Sequence, residues 1–287
     1  MLITTPGLGA YISGAILFEE TLYQKTQDGT PFVEVLIRQG IMPGIKVDKG
    51  LKEYPDFPGE KVTEGLDGLD QRVKAYAQQG AKFDKWRAEF TIYGDEKPSN
   101  VVIKENARRL KQYAGESQAE GLVPIVEPEV KIDGPHTLER CFYITRLVLD
   151  EVFNELIKGG VNLKEMILKP NIVVPGKDSG FKYSADVIAE KTVKVLKATI
   201  PQDVPGIAFL SGGLSDEDAT TFLNAMNQLY GHELPWNLTF SFGRGLQREP
   251  LRVFAQKGPN YIQKAQEKLL GRAEEASLAT LGKYNIS

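Results

Sequence analysis

Residues 121–174 read GLVPIVEPEVKIDGPHTLERCFYITRLVLDEVFNELIKGGVNLKEMILKPNIVV. An apolar run, Leu122–Glu129, opens the stretch. A long amphipathic segment, His136–Lys158, follows, and a second apolar run occupies Met166–Val173. Both short runs are bounded by Gly or Pro, so the order is strand, helix, strand, the unit that joins two parallel strands by a crossover helix. The same alternation continues outward in both directions. Strands are predicted at Ile12–Phe18, Ile41–Asp48, Phe83–Ile92, Gly206–Ser211 and Trp236–Phe242. Helices are predicted at Leu69–Gln79, Ser99–Ala119, Ser184–Lys197, Ser215–Gln228 and Asn260–Leu281, with acidic residues such as Asp216 and Glu217 in an opening turn. No shift in composition and no low-complexity linker divides the chain. The prediction is an α/β protein with a parallel sheet, a (β/α)8 TIM barrel forming one domain over residues 1–287. Only seven strands are found where a closed barrel needs eight. An open doubly wound sheet tolerates seven, but it normally carries a glycine-rich loop after its first strand, and EETLYQKTQDG stands there instead.

Composition narrows the chemistry. The 287 residues are 41% apolar and 25% charged, enough to bury a core, with a formal charge of −3 that disfavours a nucleic-acid surface. No apolar stretch is long enough to span a bilayer, so no membrane role is expected. MLITTPGLGAYISG lacks the basic and cleavage features of a secretory signal. The single cysteine, Cys141, allows no internal disulfide and suits a reducing cytoplasm. The two histidines, His136 and His232, lie far apart, which argues against a zinc site or a Ser-His-Asp triad. His136, in IDGPHTL, is predicted in a loop or at a helix cap. Neither a metal nor a cofactor is expected. The chemistry falls to lysine, carboxylates and arginine.

Those residues gather at the C-terminal ends of strands, where a barrel builds its active site. Glu127 and Glu129 are two apart and share a face; so do Lys46 with Asp48 and Lys85 with Arg87. Lys169 interrupts the apolar strand MILKPN. One such charge is an ordinary solvated strand end, but a set on four consecutive strands is costly to desolvate without a use. A lysine among apolar residues and other cations loses its proton more easily, and its free amine attacks a ketone to form a Schiff base. A carboxylate pair suits the accompanying proton transfers. Two further segments suit an anion. FLSGG offers Ser211 with the backbone N–H groups of Gly212 and Gly213, and SFGRG offers Gly243 and the Arg244 guanidinium. Phosphate sites after the last two strands recur in barrels.

The motifs GAILFEETLYQ, GIKVDKG, GLDGL, KWR, VPIVEPE, LKPN, FLSGG, FSFGR and SLATLGKY, in this order from about Leu2 to Tyr284, closely resemble the class I fructose-1,6-bisphosphate aldolases. The resemblance implies a (β/α)8 barrel, usually a homotetramer, that acts without a metal in glycolysis and gluconeogenesis and cleaves a phosphorylated sugar. By position, Lys169 matches the Schiff-base lysine, Glu127 the acid/base that dehydrates the carbinolamine, and Lys85 the lysine assisting that step. Glu129 resembles the carboxylate that orients and neutralises the lysines. Lys46 matches a lysine near the C6-phosphate, and Arg87 is the arginine of KWR at the rim. Ser211, Gly212, Gly243 and Arg244 match the C1-phosphate site.

Two departures shape the expectation. Family members carry a preceding strand ending in Asp-Glu-Ser, whose aspartate handles the C4-hydroxyl proton, and a C-terminal tyrosine that aids proton exchange at C3. The given sequence starts after the former and stops at GKYNIS before the latter. A gap is therefore expected between Ile12–Phe18 and Trp236–Phe242, with the other strands in family order. A cytoplasmic aldolase is the leading reading, with a plastid location implied if a preceding segment is a transit peptide. The alternative is a catalytically impaired relative that binds phosphosugars or a protein partner. A transaldolase-type lyase fits the two phosphate segments poorly.

Overall fold

The computed structural model describes residues 1–285. Along the chain it contains β1 (Gly14–Leu17), α1 (Glu19–Tyr23), α2 (Phe32–Arg38), β2 (Met42–Lys46), β3 (Leu51–Glu53), β4 (Lys61–Thr63), α3 (Leu69–Gln78), β5 (Phe83–Phe90), α4 (Asn100–Ala119), β6 (Val123–Val130), α5 (Leu138–Lys158), β7 (Ile167–Leu168), α6 (Ala185–Thr199), β8 (Gly206–Phe209), α7 (Asp216–Tyr230), β9 (Asn237–Phe240), α8 (Arg244–Lys257) and α9 (Ile262–Thr280). Seven strands form one parallel sheet in the order β1-β2-β5-β6-β7-β8-β9, and β3 and β4 pair as a separate antiparallel hairpin. These are the seven predicted strands, arranged in barrel order with crossover helices between them. Among the described residues β1 and β9 are the sheet's two edges.

The prolines of VPIVEPEV look out of place in a central strand, since each removes a ladder donor. Their positions resolve the conflict. Lys169 N–H donates to the Val126 carbonyl at 2.8 Å and Val130 N–H to Asn171 Oδ1 at 3.1 Å, so even-numbered residues of β6 face β7. β7 pairs only with Ile125 and Val126. Pro124 and Pro128 thus lie outside the two residues of β6 that pair with β7. β7 is shorter than the predicted Met166–Val173 because Pro170 has no N–H to continue the ladder.

Alternation along β5 sorts the chain into two layers. Trp86, Ala88 and Phe90 are fully buried against the helices, Trp86 stacking on Tyr113 of α4 at 5.6 Å between ring centres. Lys85, Arg87 and Glu89 point the other way, into the barrel. Side-chain caps start four of the predicted helices: Ser99, Thr137, Ser184 and Ser215 each accept from the backbone N–H three residues on. His136 sits in the loop just ahead of Thr137. α8 was not predicted; it has no side-chain cap and holds Pro250, so the usual start signal is missing and a stop signal is present. The outer layer is tied across the two sheet edges. Gln266 of α9 donates to the Met1 carbonyl at 3.1 Å and Gln39, just past α2, to the Ile3 carbonyl at 2.9 Å.

Candidate active site

Lys169 enters the barrel from the residue after β7. Its N–H is held by Val126, and Pro170 keeps its backbone extended, so the side chain turns towards β6. There Glu127 receives two cations, Lys169 Nζ on Oε1 at 3.2 Å and Lys85 Nζ on Oε2 at 3.1 Å. All three residues are buried, between 4% and 8% exposed. Burial pushes the Lys169 ammonium below the usual lysine range, with help from the like charge of Lys85, against the pull of Glu127. Burial also opposes ionisation of Glu127, but the two ammonium groups win and hold its carboxyl below its ordinary value. The arrangement is a carboxylate shared between two lysines, one of them on the way to a free amine.

Lys85 has a second partner, Asp48, at 3.4 Å. Asp48 also takes Lys46 at 2.7 Å, while Lys46 Nζ donates to the Asp48 carbonyl at 2.6 Å. Burial raises the Asp48 carboxyl, and the lysines more than reverse it. Asp48 is therefore the hinge between two of the lysines. Its sequence signal was only that it shares a face with Lys46, which did not make it a site residue.

Glu129 has a different neighbour from the one the resemblance implied. It meets Arg87, with Nε on Oε2 at 2.5 Å, and among the described residues pairs with no lysine. Its charge reaches Lys169 only as a weaker, more distant influence. Burial raises the Glu129 carboxyl despite Arg87. Arg87 also pairs with Glu89 at 2.7 Å, and the charges alternate outward through Lys131, Asp133 and Lys177. Register explains the clustering, because Arg87 lies beside Glu127 and Glu89 beside Glu129 across β5 and β6.

The two glycine segments meet at the ends of β8 and β9, where Ser241 N–H donates to the Phe209 carbonyl at 2.9 Å. Ser211 is buried and Arg244 is exposed at the first turn of α8. Gly212 has φ 51°, and a Cβ there would lie 2.6 Å from Leu210 and 3.6 Å from a Glu129 oxygen. The left-handed backbone and the Leu210 side chain, not the Glu129 oxygen, are what favour glycine in this turn. Arg272 of α9 fastens both loops, donating to the carbonyls of Gly245 and Asp216. Lys169, Glu127, Lys85, Asp48 and Lys46 thus form one chain of ion pairs and Arg87 with Glu129 a second, the two touching where the Arg87 backbone N–H donates to Asp48 Oδ2 at 3.4 Å, while Arg244 and Gly243 make no bond to either among the described residues. Among the described residues no group of three or more His, Cys, Asp or Glu is placed to hold a metal, and no helix is long and apolar enough to cross a membrane.

The family model for fructose-bisphosphate aldolase class-I, a glycolytic family, matches residues 1–287. The chain belongs to the class I fructose-bisphosphate aldolases. It is 52% identical to "Fructose-bisphosphate aldolase 4, cytosolic" of Arabidopsis thaliana over 99% of this chain and 72% of that protein. A probable class 1 aldolase of Xanthomonas axonopodis pv. citri is 48% identical, over 99% of this chain and 84% of its own. The aldolase of Plasmodium falciparum, solved with TRAP and a small-molecule inhibitor, superposes with a TM-score of 0.96 at 47% identity, covering all of this chain and 82% of that one. The aldolase barrel and the lyase chemistry of fructose 1,6-bisphosphate are thereby shown for the family to which this sequence belongs. The aldolase reaction in turn gives the Lys169–Glu127–Lys85 triangle a substrate to be read against.

Proposed function

We propose that Lys169 is the nucleophile of this aldolase and that Glu127 moves the protons of the steps around it. The free amine attacks the C2 ketone of fructose 1,6-bisphosphate; Glu127, ionised at the start, takes the proton released from the new C–N ammonium and returns it to the C2 hydroxyl, so that water leaves the carbinolamine. The resulting iminium accepts the electron pair of the C3–C4 bond as it breaks, and the C4 hydroxyl gives up its proton to a base or to water, which releases glyceraldehyde 3-phosphate. Protonation of the enamine and hydrolysis of the imine then release dihydroxyacetone phosphate. Lys85 keeps Glu127 ionised and positioned between the two lysines, and Asp48 holds Lys85 and Lys46. Arg244, Ser211 and the amides of Gly212 and Gly243 take the C1-phosphate, with Lys46 and Arg87 on the side of the C6-phosphate. A cytosolic place follows the names of the plant relatives, and assembly as a homotetramer follows the resemblance.

One observation carries this reading: Lys169, joined to Glu127 from the end of an apolar strand, is buried and biased towards its neutral form. Borohydride added with dihydroxyacetone phosphate should fix the triose to Lys169. Peptide mapping that finds the adduct on Lys85 or Lys46 overturns the assignment.

A further inference from the structure

Behind Lys85, on the opposite face of β5, lies a further buried carboxylate that the reaction does not use. Asp84 is fully buried between β5 and α4. Tyr113 Oη lies 2.8 Å from Asp84 Oδ1, Ser117 Oγ lies 2.6 Å from Oδ2, and the same Tyr113 hydroxyl is 3.3 Å from the Ile125 carbonyl of β6. From β2 and β6 the register partners of Asp84 are Ile45 and Pro124, which carry no charge. The ionisable groups across the sheet are Lys85, next along the strand, and Asp48, whose charge reaches Tyr113.

The protons can be counted. Tyr113 has one to give and two acceptors within reach. With Asp84 ionised, Tyr113 and Ser117 both donate to it, and α4 is tied to β5 alone. With Asp84 protonated, the acid donates to Tyr113 Oη and Tyr113 turns its own proton to the Ile125 carbonyl, while Ser117 still serves Oδ2. α4 then clamps β5 and β6 together. Those strands carry Lys85 and Glu127, and Lys85 is the register partner of Ile125 itself.

We propose that Asp84, with Tyr113 and Ser117, is a proton-dependent positioning device that aligns Lys85 with Glu127 from behind the sheet. The proposal rests on the role given to Lys85 above. Burial, opposed by the Ser117 and Tyr113 hydrogen bonds, pushes the Asp84 carboxyl up to about 7, so both arrangements are populated near neutrality. A carboxyl that ionises near 3.8 in the unfolded chain and near 7 in the folded one stabilises the fold at low pH. That contribution is lost as pH rises across this interval and is constant above it.

Infrared difference spectra of the wild-type chain should show a buried protonated carboxyl that disappears around pH 7. Asp84→Asn, which keeps an acceptor and cannot ionise, should lack this band. Tyr113→Phe removes a donor to the ionised form and should move the titration upward. The ratio of Asp84→Asn to wild-type rates of borohydride-trapped adduct on Lys169 should rise about fivefold or more from about pH 6 to about pH 8, a typical size for coupling between sites. KM for dihydroxyacetone phosphate should stay constant. No titrating carboxyl in the wild type, or an unmoved titration in Tyr113→Phe, overturns the device. A titration that Asp84→Asn removes without changing the pH dependence of trapping overturns its link to Lys85. Failure of the Lys85 assignment itself shows separately, as unchanged trapping in Lys85→Met.

Discussion

Glu127 holds an ammonium group on each oxygen, and its replacement should separate charge from proton transfer. In Glu127→Gln the anion that keeps Lys169 protonated is gone, so the lysine should titrate still lower than in the wild type. A free amine would then be present at lower pH, yet trapping should slow by roughly 10²–10⁴-fold because no group is left to protonate the departing water. A pH series of trapping rates reads both effects, and a variant that traps faster at every pH would contradict the role. The phosphate ends divide in the same way. Arg244→Ala should weaken dihydroxyacetone phosphate binding by about 1.5–3 kcal/mol, the range for a charge-assisted hydrogen bond. Lys46→Ala should barely change it, since Lys46 sits with Asp48 on the other side of the network. Calorimetric titration of both variants with the triose settles the division, and equal losses would refute it.

Strand packing beneath the charges depends on a size match. Phe83 faces the barrel interior, and Gly44 of β2 is its register partner. A Cβ on Gly44 would lie 2.2 to 2.7 Å from the Phe83 ring, and one on Gly14 of β1 would lie 3.0 Å from it. The ring therefore lies across β2 and β1, filling the space that side chains on those strands would otherwise take. Gly44→Ala should destabilise the chain by about 1–3 kcal/mol through overpacking. Adding Phe83→Leu should recover part of the loss, since neighbouring residues couple. Urea midpoints of the two singles and the double variant measure this, and strict additivity would show that the ring does not set the spacing.

At the scale of the molecule the parallel sheet ends at β1 and β9, and the N–H and C=O groups along their outer sides have no strand partner among the described residues. Lys169, Glu127 and Lys85 lie on β5, β6 and the end of β7, well inside the sheet. Residues 1–287 expressed by themselves are therefore expected to form the Schiff-base adduct while cleaving fructose 1,6-bisphosphate slowly. A version preceded by a parallel strand ending in a carboxylate should cleave faster, because a positioned base is typically worth about 10²–10⁴-fold. Coupled assays of aldehyde release from both versions test this; equal rates would mean that the open edges do not matter to catalysis.

Residue order alone determined the strand–helix alternation, because apolar period and Gly/Pro punctuation are local properties of the chain. It also put Glu127 with Glu129, Lys85 with Arg87, and Lys46 with Asp48 on shared strand faces, since the alternation of a strand assigns each side chain a face; the expectation that all of them sit at strand ends does not hold, because Lys85, Arg87 and Glu127 lie inside β5 and β6. Pairing across strands was not legible in the same way. That Asp48 reaches Lys85, that Glu129 meets Arg87, and that Asp84 finds Tyr113 and Ser117 are facts of register and helix packing, set by residues 29 to 42 positions apart in the chain. α8 escaped for a related reason: with no cap and an internal proline, it is held by tertiary contacts, including Arg248 on Asp216 and Arg272 on Gly245. Local sequence chose which side chains face the barrel. Only the folded sheet, by bringing distant strands into register at hydrogen-bond distance, decided which charges meet.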